Sequence, residues 1–181
     1  MNVVNALVEA LEGTLGRALP EGMLETPARL AKAWHEMTLG YQQRPEDILA
    51  RTFDADGYDQ IVALRGVAYQ SLCEHHLLPF TGTVDLAYLP GDRVVGISKL
   101  ARLVDCFARR FQIQERMTKQ IADALEQHLH ARGVVVVVRG VHACMAHRGV
   151  LKPEAQMVTS EMRGTFRDNP GARAEALALL R

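Results

Sequence analysis

Two short segments carry the residues best suited to chemistry: Ser71-Leu72-Cys73-Glu74-His75-His76-Leu77-Leu78-Pro79-Phe80 and, much further along the chain, His142-Ala143-Cys144-Met145. Each sets histidine beside cysteine. Cys73 and His76 have C-x2-H spacing, and with Cys144 they offer two thiolates and one imidazole. That set suits zinc and leaves a tetrahedral ion one open position. A structural zinc site normally closes its shell with a fourth protein ligand, and neither segment carries another cysteine. The pattern therefore points to a catalytic metal, with reduced side chains that only pack or hydrogen-bond as the plainer alternative. His75 and His142 flank the candidate ligands, where imidazoles can move protons near neutral pH.

A second group is cationic. Ser98, Lys99 and Arg102 fall on the first turns of an expected helix, where free backbone N–H groups and the helix dipole favour an anion. Arg148 follows the Cys144 segment, and Arg29 lies early in another expected helix. Taken singly, each basic residue is more simply part of a solvated face. Gln114 and Glu115 open a long helical stretch. A carboxylate there is commonly an ordinary first-turn residue worth about 0.3–1 kcal/mol through the dipole, and it could also read the paired N–H donors of a purine or pterin edge. The residues alone favour the first of these. Cys106, in an amphipathic stretch, reads as a small apolar residue.

These side chains need elements to position them. Val4, Leu7, Val8, Leu11 and Leu15 recur at helical spacing, closed by Gly16 and Pro20. Thr26 is the expected N-cap of a second helix with Pro27 at its first position, running to Gly40. Ile61–Leu64, Val67–Tyr69 and Thr83–Leu89 are strand-like. Ser98 can cap the next helix, and a longer one spans about Gln114 to Ala131. Strands at Val134–Val138 and about Gln156–Glu161 follow, then a helix opened by Asn169-Pro170. The expected organisation is an N-terminal helical region over 1–58 and a single catalytic unit over 59–181. Its fold class is α+β, with an antiparallel four-stranded sheet, helices on one face and the other face left for oligomerisation to cover.

Composition narrows the setting. With 181 residues, 48% hydrophobic and 23% charged, the chain can bury one good core. Its 21 basic and 21 acidic residues cancel, so nothing global calls for nucleic acid or a membrane surface, and an anionic ligand must be held by a local cluster. Three cysteines are too few for a disulfide scaffold of this length and fit a reducing compartment. The first residues carry acids inside an apolar pattern and no basic leader. The longest aliphatic run, Val134–Val138, is far short of the roughly 20 residues of a membrane helix. A soluble cytoplasmic protein is expected.

The segments C-E-H-H-L-L-P-F, G-I-S-K-L-A-R, Q-I-Q-E-R-M-T-K-Q-I-A and H-A-C-M-A-H-R-G-V occur in an order and at separations that resemble GTP cyclohydrolase I, over roughly residues 26–180. The resemblance implies the tunnelling fold, zinc held by Cys73, His76 and Cys144, and proton transfer by His75 and His142. It further implies guanine recognition by Gln114 and Glu115. Ser98, Lys99, Arg102 and Arg148 would bind the triphosphate, with Arg29 of a neighbouring subunit. The implied assembly is a homo-oligomer, typically a decamer of two pentamers face to face, with sites at subunit boundaries. The implied reaction opens the imidazole ring of GTP at C8, releases formate and forms 7,8-dihydroneopterin triphosphate.

This chain departs from the usual pattern at Ala155 and Met157, where members of that family commonly place serine and threonine, and at His147 before Arg148. Those lost hydroxyls leave open a paralogue that binds nucleotide without turnover, and a tunnelling-fold relative acting on another purine or pterin is the enzyme alternative.

Overall fold

The computed structural model describes residues 2–181, in two compact units that divide after Thr38. In the first, α1 (Val3–Leu15) starts from Asn2, whose side chain accepts from the Val4 amide at 2.8 Å, and stops at Gly16 in the left-handed region. In α2 (Thr26–Met37) the cap is Glu25, not Thr26 as expected, and Pro27 sits in the first turn, where its missing N–H costs no helical bond.

The second unit holds α3 (Pro45–Leu49), β1 (Thr52–Asp54), β2 (Val62–Cys73), β3 (Pro79–Leu89), β4 (Arg93–Val95) and α4 (Ile97–Ala108). It continues with β5 (Phe111–Gln112), α5 (Gln114–Leu129), β6 (Gly133–His142), α6 (Ala143–Ala146), β7 (Met157–Gly164), α7 (Thr165–Asp168) and α8 (Pro170–Leu179). The unit begins well before the boundary expected at residue 58, because β1 pairs with β4 and Leu49, 1% exposed, belongs to its core.

The main sheet has the order β5-β2-β3-β6-β7. Its four long strands are antiparallel, as expected. The addition is β5, two residues that run parallel to the end of β2, Leu72 opposite Phe111 and Cys73 opposite Gln112. A two-residue strand has no periodicity to read, so sequence could not announce it. Alternation sorts the two faces. Val84, Leu86 and Tyr88 of β3 and Val134, Val136 and Val138 of β6 form one core with Leu100, Leu103 and Val104 of α4 and Met117, Ile121 and Leu125 of α5. Helices were expected on that face alone. On the other, Phe166, Ala176 and Leu180 cover Ala87, Val135 and Val137, because the chain turns back after β7 at Gly164 and Asn169 caps α8. The rest of that face is more polar, with Asp85 paired to Arg139, and Val158 is 56% exposed.

Close approach explains one glycine in the centre of the sheet. A Cβ on Gly82 would collide with the Arg139 carbonyl, so any side chain there would force β3 and β6 apart.

Candidate metal and nucleotide site

The link from β2 to β3 is a tight turn built on Cys73. Its carbonyl accepts from the Leu77 amide at 2.8 Å, its amide donates to the Leu78 carbonyl at 2.9 Å, and Leu77 takes a positive φ of 54°. The turn folds His76 back over Cys73, with Nδ1 3.6 Å from the cysteine sulfur. The neighbouring end of β6 delivers the third group. His142 pairs in register with Phe80, and α6 then carries Cys144 toward the turn. The donor atoms of Cys73, His76 and Cys144 all lie within 4.8 Å of one another.

This triad fits a metal ion. Bond lengths near 2.3 Å to sulfur and 2.0–2.1 Å to nitrogen require a tetrahedral S···N separation of about 3.6 Å, which is the spacing of Cys73 and His76. All three cysteines are free. Burial pushes the Cys144 thiol up, the adjacent Cys73 sulfur adds to the effect, and Arg148 partly offsets it. A cation beside the Cys144 sulfur would offset both effects.

Around the triad stand most of the other expected residues. His75 is exposed, its Nδ1 4.0 Å from the Cys73 sulfur. Its neighbour Glu74 is held below the usual carboxylate range by a hydrogen bond from Arg116. His142 is half-buried and stacked on Phe80, ring centres 4.5 Å apart and planes within 5°. Burial lowers its pKa, and the charge of nearby Glu115 works against that shift. Glu115 lies in the first turn of α5, exposed and without a hydrogen bond or ion pair to another side chain among the described residues. Arg148 is exposed and close enough to act on Cys144.

Gln114 differs from expectation. It is 0% exposed, and its side-chain NH2 donates to the Val138 and Met157 carbonyls, both at 3.1 Å, and to Thr159 Oγ1 at 3.2 Å. Its Oε1 faces His142 Nε2 at 3.0 Å and the Tyr69 hydroxyl at 3.5 Å. The guanine-reading role expected for this amide has no free donor or acceptor behind it. Tyr69, Phe80, Thr118 and Thr159 support this cluster and carry no chemical signature in sequence, since only burial reveals them.

Ser98, Lys99 and Arg102 sit elsewhere on the unit. Gly96 holds the N-cap position of α4, so Ser98 lies inside the first turn without making the expected cap bond. The far end of α4 meets β2, where the Arg110 carbonyl accepts from the Leu72 amide at 3.4 Å. At 1.5 Å per residue, Ser98 and Lys99 stand about 15 Å up the helix from that end. Lys99 and Arg102 instead line a separate cavity of about 370 Å³ with Gln42, Gln43, Arg44 and Asp47. Arg29 lies on α2 of the first unit.

A tunnelling-fold protein with a Cys2His cluster spaced to hold a metal is the class these features define. The fold likeness extends to the crystal structure of an archaeosine synthase QueF-Like protein, with a TM-score of 0.50 and 16% identity over 59% of this chain and 96% of that one. Family and sequence comparison go further. A GTP cyclohydrolase I family profile matches residues 3–181. GTP cyclohydrolase 1 of Rhodopirellula baltica is 48% identical over 178 residues, covering 98% of this chain and 77% of the relative. That of Thermobifida fusca is 50% identical over 162 residues, covering 88% and 78%. The chain belongs to the GTP cyclohydrolase I family, and it is an enzyme of that family.

Proposed function

We propose that the protein is a zinc-dependent GTP cyclohydrolase that opens the guanine imidazole ring at C8, releases formate and yields 7,8-dihydroneopterin triphosphate. The observation that carries the reading is the meeting of Cys73, His76 and Cys144 within 4.8 Å at the strand end that also holds His142. Cys73, His76 and Cys144 would hold the zinc, which when bound would supply Lewis-acid activation of water. His142, backed by Phe80, donates the proton that the purine needs at N7 before C8 becomes electrophilic. His75, 64% exposed in its side chain, exchanges protons with solvent during ring opening and sugar rearrangement. The unpaired Glu115 carboxylate accepts the adjacent N–H donors of guanine, a pairing that adenine cannot offer.

The triphosphate is held by Ser98, Lys99, Arg102 and Arg148, with Arg29 from a neighbouring subunit. The separation of the α4 cations from the metal cluster supports a site shared between chains in a homo-oligomer, a decamer of two pentamers acting in the cytoplasm. No helix among the described residues is long and apolar enough to cross a membrane.

Incubation of the zinc-loaded protein with GTP, following formate and dihydroneopterin absorbance beside a chelated sample, tests the reading. Stoichiometric formate and pterin, lost on chelation and restored by zinc, are expected. Metal and GTP binding without formate would replace it with a non-catalytic paralogue.

A further inference from the structure

We propose that Gln114 is a positioning residue that keeps a hydrogen on His142 Nε2, so that any proton His142 delivers to the substrate is one taken up and released at Nδ1. The proposal rests on the proton-transfer role given to His142 above and deepens it.

Its basis is the polarity of a hydrogen-bond network whose ends are backbone carbonyls. Hydrogen positions in such networks are inferred from partners, and carbonyls leave no choice because they only accept. The Gln114 amide faces the Val138 and Met157 carbonyls at 3.1 Å each, so the NH2 end must point there. An amide turned the other way would set carbonyl oxygen against carbonyl oxygen. Oε1 is therefore the atom that faces His142 Nε2 at 3.0 Å, and Nε2 must carry the hydrogen.

A second chain of bonds fixes the same orientation independently. Thr118 Oγ1 lies 2.7 Å from the Gln114 backbone carbonyl and must donate to it. At the 2.6 Å contact between Thr118 and Thr159 the donor is then Thr159, which has spent its only hydrogen. Thr159 Oγ1 is left to accept from the Gln114 NH2 at 3.2 Å. Tyr69, whose hydroxyl is kept protonated by burial, gives Oε1 its second hydrogen bond at 3.5 Å.

The surroundings leave the imidazole little freedom. Its face is stacked on Phe80, whose other neighbour is Tyr69, ring centres 5.9 Å apart. Gln114 reaches β6 at all because residue 140 is glycine. A Cβ there would lie 2.5 Å from Oε1. The network takes only the main-chain carbonyl of Met157, so the unusual side chain at that position removes none of its bonds.

The first test is 15N NMR of histidine-labelled, zinc-loaded wild-type protein at a pH where the ring is neutral, with His142 assigned by loss of its signals in His142→Asn. A protonated Nε2 and an unprotonated Nδ1 are expected. A protonated Nδ1 overturns the proposal, whether or not the protein turns over GTP. The second test is Gln114→Met, which keeps the length and removes every polar atom. For a positioning residue, kcat should fall about 100-fold, with GTP affinity and selectivity over ATP and ITP each within about threefold. Near-normal kcat with lost selectivity for GTP would make Gln114 a guanine-reading residue instead. Absence of formate from the wild type would remove the proposed activity and leave the tautomer to be decided by the spectrum.

Discussion

Replacing Gly140 by alanine puts one methyl group where the structure has no room for it. The new Cβ would sit 2.5 Å from Gln114 Oε1 and still nearer the Tyr69 hydroxyl, whereas an unstrained carbon–oxygen contact needs about 3.4 Å. One side must yield by close to 1 Å. Gly140 is paired on both sides, to Gly82 and to Met157, so the strand is the stiffer partner and the side chains move. A 1 Å retreat of Oε1 stretches its 3.0 Å contact with His142 to about 4 Å, beyond hydrogen-bonding range. Overpacking and two weakened buried hydrogen bonds together cost about 3 kcal/mol. For a chain of this size that lowers the melting temperature by about 6–12 °C. Release of His142 should also reduce kcat about 100-fold. Thermal unfolding of zinc-loaded protein and formate release, measured side by side, check both numbers. A melting curve within 1–2 °C of wild type together with full turnover would show that the gap around Gly140 is not tight and would refute the reasoning.

Three further outcomes are expected. Cys144→Ala should lose zinc on dialysis, as measured by atomic absorption, while its far-ultraviolet circular dichroism stays that of the wild type; a retained equivalent of zinc would exclude Cys144 as a ligand. Burial raises the Asp123 carboxyl, but hydrogen bonds from Lys119 and Arg163 outweigh it and hold the group below its ordinary value. This stabilisation is present above the unfolded-state pKa and is lost as pH falls through the folded one, so Arg163→Met should cost about 1–2 kcal/mol at pH 7 and progressively less below about pH 4; urea unfolding across pH that shows a constant difference would contradict it. Cys144→Ala and Arg102→Ala, each inactive alone, should regain about a quarter of wild-type turnover when refolded together at equal amounts, because a site between two chains draws its halves independently; no recovery would place both groups of residues in one chain's site.

The metal cluster was legible because one part of it is local. C-x2-H within a single turn fixes Cys73 and His76 in space almost regardless of the rest of the fold, and the Phe80–His142 register then delivers Cys144. The surroundings of Gln114 were hidden for the opposite reason. Its sequence position at the start of α5 was recognised, but whether its amide faces solvent or the protein depends on how β6 and β7 lie against that helix, and no local pattern encodes that contact. The helix caps show the same limit on a smaller scale. Thr26 and Ser98 have the right chemistry for N-caps, yet Glu25 and Gly96 occupy those places, because the direction of the incoming chain decides which residue leaves the helical φ, ψ region. The strand β5 was invisible, being two residues that pair beside the end of β2 and support the Cys73 turn through the 3.0 Å bond from the Glu74 amide to the Gln112 carbonyl.

The two clusters of functional residues differ in how firmly the chain holds them, and the difference follows from what each must do. Cys73 and His142 are held by buried elements: a strand end in register, a stacked aromatic ring and an amide with every polar atom engaged. A reaction that needs a proton delivered to one ring nitrogen depends on such placement, since an error of 1 Å costs about 100-fold in rate. Ser98 and Arg102 lie exposed, and Lys99 only partly covered, on the first turns of α4, and the two cations have long side chains and no buried partner. Holding a triphosphate needs positive charge more than exact geometry, because Coulomb attraction declines only gradually with distance. Such a group would tolerate delivery from another copy of the chain, where small shifts at a subunit boundary do little harm, while Cys73, His76 and Cys144 come from neighbouring ends of β2 and β6 in one chain.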